Sequence, residues 1–366
     1  MRLCIFTENY LKGGLDTFII NLINNMSDEV AITLACNKNH KNINHIQEKS
    51  KDEMKYFLYQ YFTNTVVSYY YKQNNIRSFA FLLRLIEYLL RYTIFTPYYL
   101  LSLTLYFRKY NYDALLIVNG GYPGGVLARL AAIAFRLSGN KGKCVLNIHN
   151  DIAVPNKLIY FYDLIIDKLI SHSVDLLVFP SKNCETTKSQ RYFLSKIPSN
   201  VIFNGIDLIK LDKSYNEELY KKNLIMIGTY EKRKGHIHLF ESVKLIIDKH
   251  PDLELYIYGE GKAEEKDSIV KKIKELNLEN KIHLMGYSTN IRKHLAEASI
   301  LVMPSQELES FGLVIIEAMS VGTPVVCTNV GGMVEVLDGS GSGLIVDKDS
   351  KLELANAIDK ILSDST

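Results

Sequence analysis

Two glutamates, Glu309 and Glu317, stand eight positions apart in the stretch ESFGLVIIEAMSVGTPVV, residues 309–326. Eight residues of helix rise about 12 Å, so the two carboxylates are too far apart to share a proton but could hold opposite ends of one elongated ligand. Ser310, Phe311 and Gly312 lead into an apolar run, Leu313 to about Val321, that reads as a helix closed by Gly-Thr-Pro. The unpaired amides at the start of such a helix suit a phosphate. A carboxylate accepts hydrogen bonds from neighbouring hydroxyls, so Glu317 suits a ribose and Glu309 a hexose. The plainer alternative makes Glu309 a helix cap and Glu317 a surface residue. Against it, Glu317 lies within GLVIIEAM, and an unpaired carboxylate buried among apolar neighbours is expensive.

Three further turns could do chemistry. In GTYEKRKGHIHLF (228–240), Lys232, Arg233 and Lys234 precede a glycine and a helix. Cations beside the positive end of a helix repel it unless an anion sits between, and a diphosphate would satisfy both; a solvated charge run is the alternative. In ENYLKGGLDTF, Gly13 and Gly14 separate an apolar run from a helix starting near Leu15, which is either an anion site or an ordinary turn. His149 ends the apolar run in LNIHND, a place where a histidine is more often structural.

Composition narrows the classes. The chain has 366 residues, 47% hydrophobic and 23% charged, which fits a globular protein of two domains. A net charge of +3, with no basic tract, argues against nucleic acid. The five cysteines are scattered, without a CxxC pair, so neither a disulfide framework nor a zinc site is expected. The apolar run near the N-terminus is too short for a signal peptide, and a reducing cytoplasm is the expected location.

The elements that must position these residues alternate from end to end. Apolar runs at 2–7, 30–36, 113–118, 144–149, 174–179 and 200–203 form one set of expected strands. Runs at 223–228, 253–259, 281–286, 299–304, 323–328 and 343–347 form a second. Runs without strict alternation, separated by helical patterns, point to parallel sheets covered on both faces. Two sets point to an α/β protein of two doubly wound domains, 1–205 and 206–366, with ligands at the carboxyl ends of the strands and a cleft between facing domains. Residues 37–112 break the rhythm and read as a helical insertion. Within it Arg77, Arg84 and Arg91 recur every seven residues, Glu87 joins their stripe, nearly everything else on that helix is apolar, and Tyr92 to Phe107 is a run of sixteen uncharged residues interrupted by Pro97. That run is short of a bilayer span. It reads either as helices packed on the sheet or as an interfacial element with arginines for anionic lipid.

Taken together these stretches resemble the retaining glycosyltransferases of family 4, which have the GT-B fold of two Rossmann-like domains. The resemblance rests on ESFGLVIIEAMSVGTPVV and on KGGLDTF (12–18), VIFNGID (201–207), KGHIHLFESV (234–243), YGEGKAE (258–264), VGGMVEVL (330–337) and GLIVD (343–347), in the family's order. It implies an N-terminal acceptor-binding domain and a C-terminal domain for a UDP- or GDP-sugar. It places Gly14 near the donor diphosphate, Lys234 and the amides of Ser310, Phe311, Gly312 and Leu313 on its phosphates, Glu317 on the ribose, and Glu309 and His149 at the transferred sugar. Thr229 stands where the family carries a phosphate-binding arginine, a role that Arg233 could take over. The chain also ends soon after KLELANAIDKIL, where relatives continue with a helix that returns to the N-terminal domain. The implied reaction is metal-independent hexosyl transfer with retention, to a saccharide acceptor on a lipid carrier, in the synthesis of a cell-surface polysaccharide such as capsule or O-antigen. It needs no cofactor, and peripheral membrane contact would accompany a lipid-linked acceptor at the inner face of the membrane. Two rivals share these residues: an epimerase or hydrolase of nucleotide sugars, and a non-catalytic nucleotide-sugar-binding subunit.

Overall fold

The computed structural model describes residues 1–9, 13–40, 42–51, 54–59, 90–207 and 223–363. It divides into two compact units: Met1–Pro180 with Cys184–Gly205, and Ser181–Asn183 with Ile206–Thr366.

The first unit is built on a seven-stranded sheet: β1 (Arg2–Thr7), β2 (Ala31–Asn37), β3 (Lys55–Tyr59), β4 (Ala114–Asn119), β5 (Lys143–Ile148), β6 (Leu176–Phe179) and β7 (Ser199–Val201). Their order is β3-β2-β1-β4-β5-β6-β7, and every pairing is parallel. The second unit holds β8 (Asn223–Ile227), β9 (Glu254–Tyr258), β10 (Ile282–Gly286), β11 (Ile300–Met303), β12 (Val325–Thr328) and β13 (Gly343–Val346). Its order, β10-β9-β8-β11-β12-β13, is again parallel throughout. In each sheet the strand order reverses beside the first strand, at β1/β4 and at β8/β11. Ligands gather outside the carboxyl ends of the strands at such points.

The apolar runs form strands because both faces of each sheet are covered: β11 and β12 are buried at every residue, and β1 at every residue after Arg2. All five cysteines are buried thiols, none of them in a disulfide. Burial pushes the thiols of Cys36, Cys144 and Cys327 up to about 12 and that of Cys4 further, so they are inert core residues.

The stretch expected to be a helical insertion contains a strand. β3 is an edge strand, with Lys55 and Leu58 exposed and Tyr59 buried, so it lacks the continuous apolar run that marks its neighbours. The helix Thr96–Lys109 follows, with Pro97 in its first turn, where the missing amide costs nothing. Arg77, Arg84 and the apolar residues up to Leu89 lie outside the described residues. No helix among the described residues is long and apolar enough to cross a membrane.

A buried ionic cluster braces the loop after β4. Arg191, 1% exposed, pairs with Asp163 (3.2 Å) and Asp167 (2.9 Å), and Arg129 pairs with Asp163 (3.1 Å). Tyr122, in NGGYPGG, donates its hydroxyl to Asp167. With several donors on each carboxylate, the desolvation of these charges is compensated.

Candidate active site

In the second unit, the loops after β8 and β11 meet. Lys232–Lys234 form a single 3-10 turn, and Gly235 then takes a left-handed conformation (φ 77°) before the helix His236–Ile246. A Cβ on Gly235 would lie 1.8 Å from the carbonyl oxygen of Pro304, so only glycine lets this turn close on the β11 loop. The amide of Gln306 donates to the Arg233 carbonyl (2.7 Å), and Arg233 donates through Nε to Glu231 and through Nη1 to the Leu308 carbonyl (2.9 Å).

That closure brings Lys234 and Glu309 together, 75 residues apart in sequence. The Lys234 ammonium donates to Glu309 Oε2, and the Ser305 hydroxyl donates to the same oxygen (3.3 Å). Both side chains are largely enclosed, at 13% and 15% exposure, so solvent screens the pair less than it would on a surface. Behind Glu309 the glycines of VGGMVEVL pack tightly: the Gly332 amide donates to the Glu309 carbonyl (2.8 Å), and a Cβ on Gly331 (φ 59°) would come within 2.0 Å of that oxygen. Ser181, which clusters with this unit, donates its hydroxyl to the Ser310 carbonyl (2.7 Å). Glu309 is therefore fixed from both sides and does not cap the following helix.

That helix is Leu313–Val321, preceded by Gly312 in a left-handed conformation (φ 83°). Ser310 and Phe311 lie outside it, and Gly312 has no side chain with which to cap its first amides. Glu317 falls in the second turn, half-buried, and burial holds its carboxyl above the ordinary carboxylate range while Arg292 pulls it down. Arg292, on the helix Ile291–Ala296, also donates to the Asp207 carbonyl (2.5 Å). The charge pattern of TNIRKHLAEA reads as a solvated helix, which is why Arg292 escaped the sequence reading. His236 escaped it too: it is 3% exposed, its Nε2 has no hydrogen-bond partner, and burial beside Lys234 lowers its pKa to about 4.

The first unit supplies a second group of residues at the carboxyl ends of β1 and β5. Gly14 is exposed at the start of the helix Gly14–Asn24, after Gly13 in extended backbone. The first turn is anchored from beneath by Asp16, 2% exposed, whose carboxylate accepts from Asn9 (2.8 Å), His40 Nε2 (3.0 Å) and Asn42 (2.9 Å). One turn on, the Phe18 ring packs against the ring of His149 (centroids 4.1 Å apart). His149 follows β5 directly, its amide bonded to the Asn119 carbonyl (2.9 Å). Burial lowers its pKa to about 4, and its Nε2 is buried without a hydrogen-bond partner. A neutral imidazole with an unsatisfied nitrogen costs stability unless something else bonds to it.

Among the described residues no three His, Cys, Asp or Glu side chains cluster as metal ligands. The carboxylate of Asp347, in the Asp-Lys-Asp triplet, accepts from the amide of Asp349 (2.8 Å), a bond within its own turn.

Comparison with known proteins meets this geometry. Residues 209–366 match the family described as Glycosyl transferases group 1. The chain is 29% identical over 239 residues to the N-acetylgalactosamine-N,N'-diacetylbacillosaminyl-diphospho-undecaprenol 4-alpha-N-acetylgalactosaminyltransferase of Campylobacter jejuni, a match that covers 64% of each protein. It is 28% identical over 272 residues to the N-acetyl-alpha-D-glucosaminyl L-malate synthase of Bacillus anthracis, covering 70% of this chain and 67% of that protein. The chain thus spans just under two thirds of the length of the first of these relatives. In fold it is similar to Anabaena Alr3699/HepE, solved in complex with UDP, with a TM-score of 0.74 over 100% of this chain and 91% of that one at 17% identity. Residues 209–366 thus match the group 1 glycosyltransferases, and the chain has the GT-B fold.

Proposed function

We propose that the protein is a retaining glycosyltransferase that moves a hexose from a nucleotide-diphosphate sugar to a saccharide acceptor on a lipid carrier, in cell-surface polysaccharide synthesis. The observation that carries this reading is the Lys234–Glu309 pair at the β8/β11 switch point, followed by a helix that starts without a side-chain cap. Lys234 and the amides of Ser310 to Leu313 take the diphosphate, and the charge that develops on it as the sugar leaves is met by donors already in place. Arg233 remains at the edge of that site, with Nε engaged by Glu231 and Nη1 holding the Glu309 loop through the Leu308 carbonyl. Glu317 receives the ribose hydroxyls, while Glu309 orients the sugar. In the first unit Gly14 offers a helix start to the diphosphate, and neutral His149 offers its unsatisfied nitrogen to the sugar. The first unit takes the acceptor and the second the donor; no metal takes part in this scheme, and the protein works in the cytoplasm at the inner face of the membrane. Names of relatives support the substrate class: one acts on a diphospho-undecaprenol-linked sugar, and a structural neighbour binds UDP.

The test is a panel of UDP- and GDP-sugars, screened by thermal shift and then by turnover with and without acceptor. Transfer that requires acceptor, with the donor's anomeric configuration retained in the product by NMR, is the expected result. Conversion of donor without acceptor would make the protein an epimerase or hydrolase. Donor binding without any turnover would leave a binding subunit.

A further inference from the structure

The helix Thr96–Lys109 has two apolar faces. Leu103 and Phe107 are buried in the core of the first unit. Ile94, just before the helix, and Tyr98, Leu101 and Leu105 recur at steps of four, three and four residues and form a second stripe, 54–62% exposed. A surface helix ordinarily carries polar residues on that side, and an exposed apolar stripe marks a binding surface.

Beside the start of this stripe lies a cavity of about 630 Å³, walled by Phe57 and Tyr59 of β3, by Phe95, Tyr99 and Leu103, and by Leu127 of the helix Val126–Leu137. Its volume is in the range of small-molecule sites. The walls are mostly apolar, with Tyr98, Tyr99 and Ser102 as the polar residues of the helix side. The Tyr59 hydroxyl is turned away, donating to the Thr7 carbonyl (2.7 Å), and Phe57 stacks on Tyr106 (3.9 Å), whose hydroxyl bonds to that of Tyr112. A polar ligand would recover few hydrogen bonds for the water it loses here, whereas a hydrocarbon chain gains from leaving water. The cavity also sits at the functional edge of the sheet. Tyr59 ends β3, Thr7 ends β1, and Gly14 and His149 follow the carboxyl ends of β1 and β5. Finally, the charged side chains in the last turn of the helix, Arg108 and Lys109, are both cationic, and they favour an anionic amphiphile over a neutral one.

We propose that this cavity and the adjoining stripe bind the hydrocarbon chain of a phosphate-bearing lipid, the carrier of the acceptor. This rests on the reading of the protein as a transferase with a lipid-linked acceptor. The cavity and the stripe Tyr98, Leu101 and Leu105 together cover the chain.

The experiment titrates the whole protein calorimetrically with octyl, decyl and dodecyl phosphate, each below its micelle concentration, and with inorganic phosphate. Affinity should rise by about fourfold per added methylene, since each buried methylene contributes on that scale, and inorganic phosphate should bind far more weakly. Ser102→Trp fills the cavity from an exposed position of its wall, and Tyr98→Glu puts a carboxylate at its mouth. Each should weaken dodecyl phosphate at least about tenfold and leave nucleoside diphosphate affinity and melting temperature unchanged. A flat chain-length series, or unchanged binding in both variants, overturns the proposal. Wild-type protein that takes up no alkyl phosphate overturns it as well, and means that the chain itself covers the cavity. Vesicles of phosphatidylcholine with and without phosphatidylglycerol separate a bulk membrane from a single lipid: sedimentation with vesicles but no binding of dodecyl phosphate overturns the site. Transfer to a water-soluble acceptor separates the two levels. Transfer retained without alkyl phosphate binding overturns this inference alone, whereas alkyl phosphate binding without transfer to any acceptor supports the site and overturns the transferase reading.

Discussion

Replacing Glu317 with glutamine should make the protein more stable and a poorer binder of its donor. Glu317 sits between Ile315 and Ala318, both buried, and its carboxyl lies above the ordinary value of 4.5 because burial disfavours the charge more than Arg292 favours it. A carboxyl with a raised folded pKa holds its proton more tightly in the folded protein than in the unfolded chain. Its contribution to stability is fully present below pH 4.5 and is lost as the pH rises through the folded value. At pH 8 the ionised group is therefore a net cost to the fold, which a neutral amide of the same shape removes. The Glu317→Gln protein should melt above the wild type at pH 8, and the difference should close toward pH 4. Donor binding goes the other way. A hydrogen bond to a charged acceptor is worth about 1.5–3 kcal/mol and to a neutral one about 0.5–1.5, so weakening two ribose contacts costs roughly 1.5–3 kcal/mol. Affinity for a nucleoside diphosphate should drop ~10- to 100-fold by calorimetry. Unchanged affinity, with the higher melting point, would remove Glu317 from the ribose. A lower melting point at pH 8 would refute the burial argument itself.

Four other outcomes follow from the same geometry. Lys234→Ala should weaken a nucleoside diphosphate far more than the free nucleoside in calorimetry; equal losses would take Lys234 off the phosphates. Glu309→Gln should lower kcat at least about tenfold with the donor KM within about twofold, the pattern of a contact made to the reacting sugar. His149 stays neutral down to about pH 4, so as the pH falls below its ordinary 6.5 the unfolded chain takes up a proton that the folded protein does not, and stability is lost, on the order of 3 kcal/mol by pH 4; His149→Asn should make the urea-melt stability profile shallower across that window by about that amount, leaving the similar loss due to His236, and an unaltered profile would refute it. Gly235→Ala should destabilise by more than about 2 kcal/mol in urea, from its left-handed backbone and from the carbonyl of Pro304 at 1.8 Å from the new Cβ, and a loss below about 1 kcal/mol would show that the turn relaxes.

The two sheets were legible because strands buried on both faces must be apolar along their whole length. Each of the twelve expected runs is a strand with ends within two residues of expectation. β3 was not legible for the converse reason: an edge strand with Lys55 and Leu58 exposed needs no continuous run, and KYFLY merges with the aromatic sequence after it. The site was legible in pieces. Glycine turns marked the loops of Lys234 and Glu309 separately, but their meeting depends on β8 lying beside β11, with Leu224 against Ile300, and strand order is not written in local pattern. What supports the chemistry from below was not legible at all. Phe18 packs against His149, and the charge of Arg292 acts on Glu317, yet Phe18 and Arg292 read as ordinary helix positions.

The helix Thr96–Lys109 shows why such patterns have to be read with packing. In sequence its apolar residues cover most of the helix surface, as they would in a helix buried on every side. Packing divides them. Leu103 and Phe107 enter the core, whereas Ile94, Tyr98, Leu101 and Leu105 face outward on the same heptad spacing that a buried stripe would have. Periodicity records that a face is apolar and cannot record what covers it. An outward apolar stripe that a folded monomer does not bury keeps its solvation cost until something else removes it from water. The adjoining cavity is lined mainly by Phe57, Ile94, Phe95, Leu103 and Leu127, and the hydroxyl of its Tyr59 is bonded to the Thr7 carbonyl, so it favours a hydrocarbon chain for that role, because its walls reward the loss of water more than they reward polar contacts.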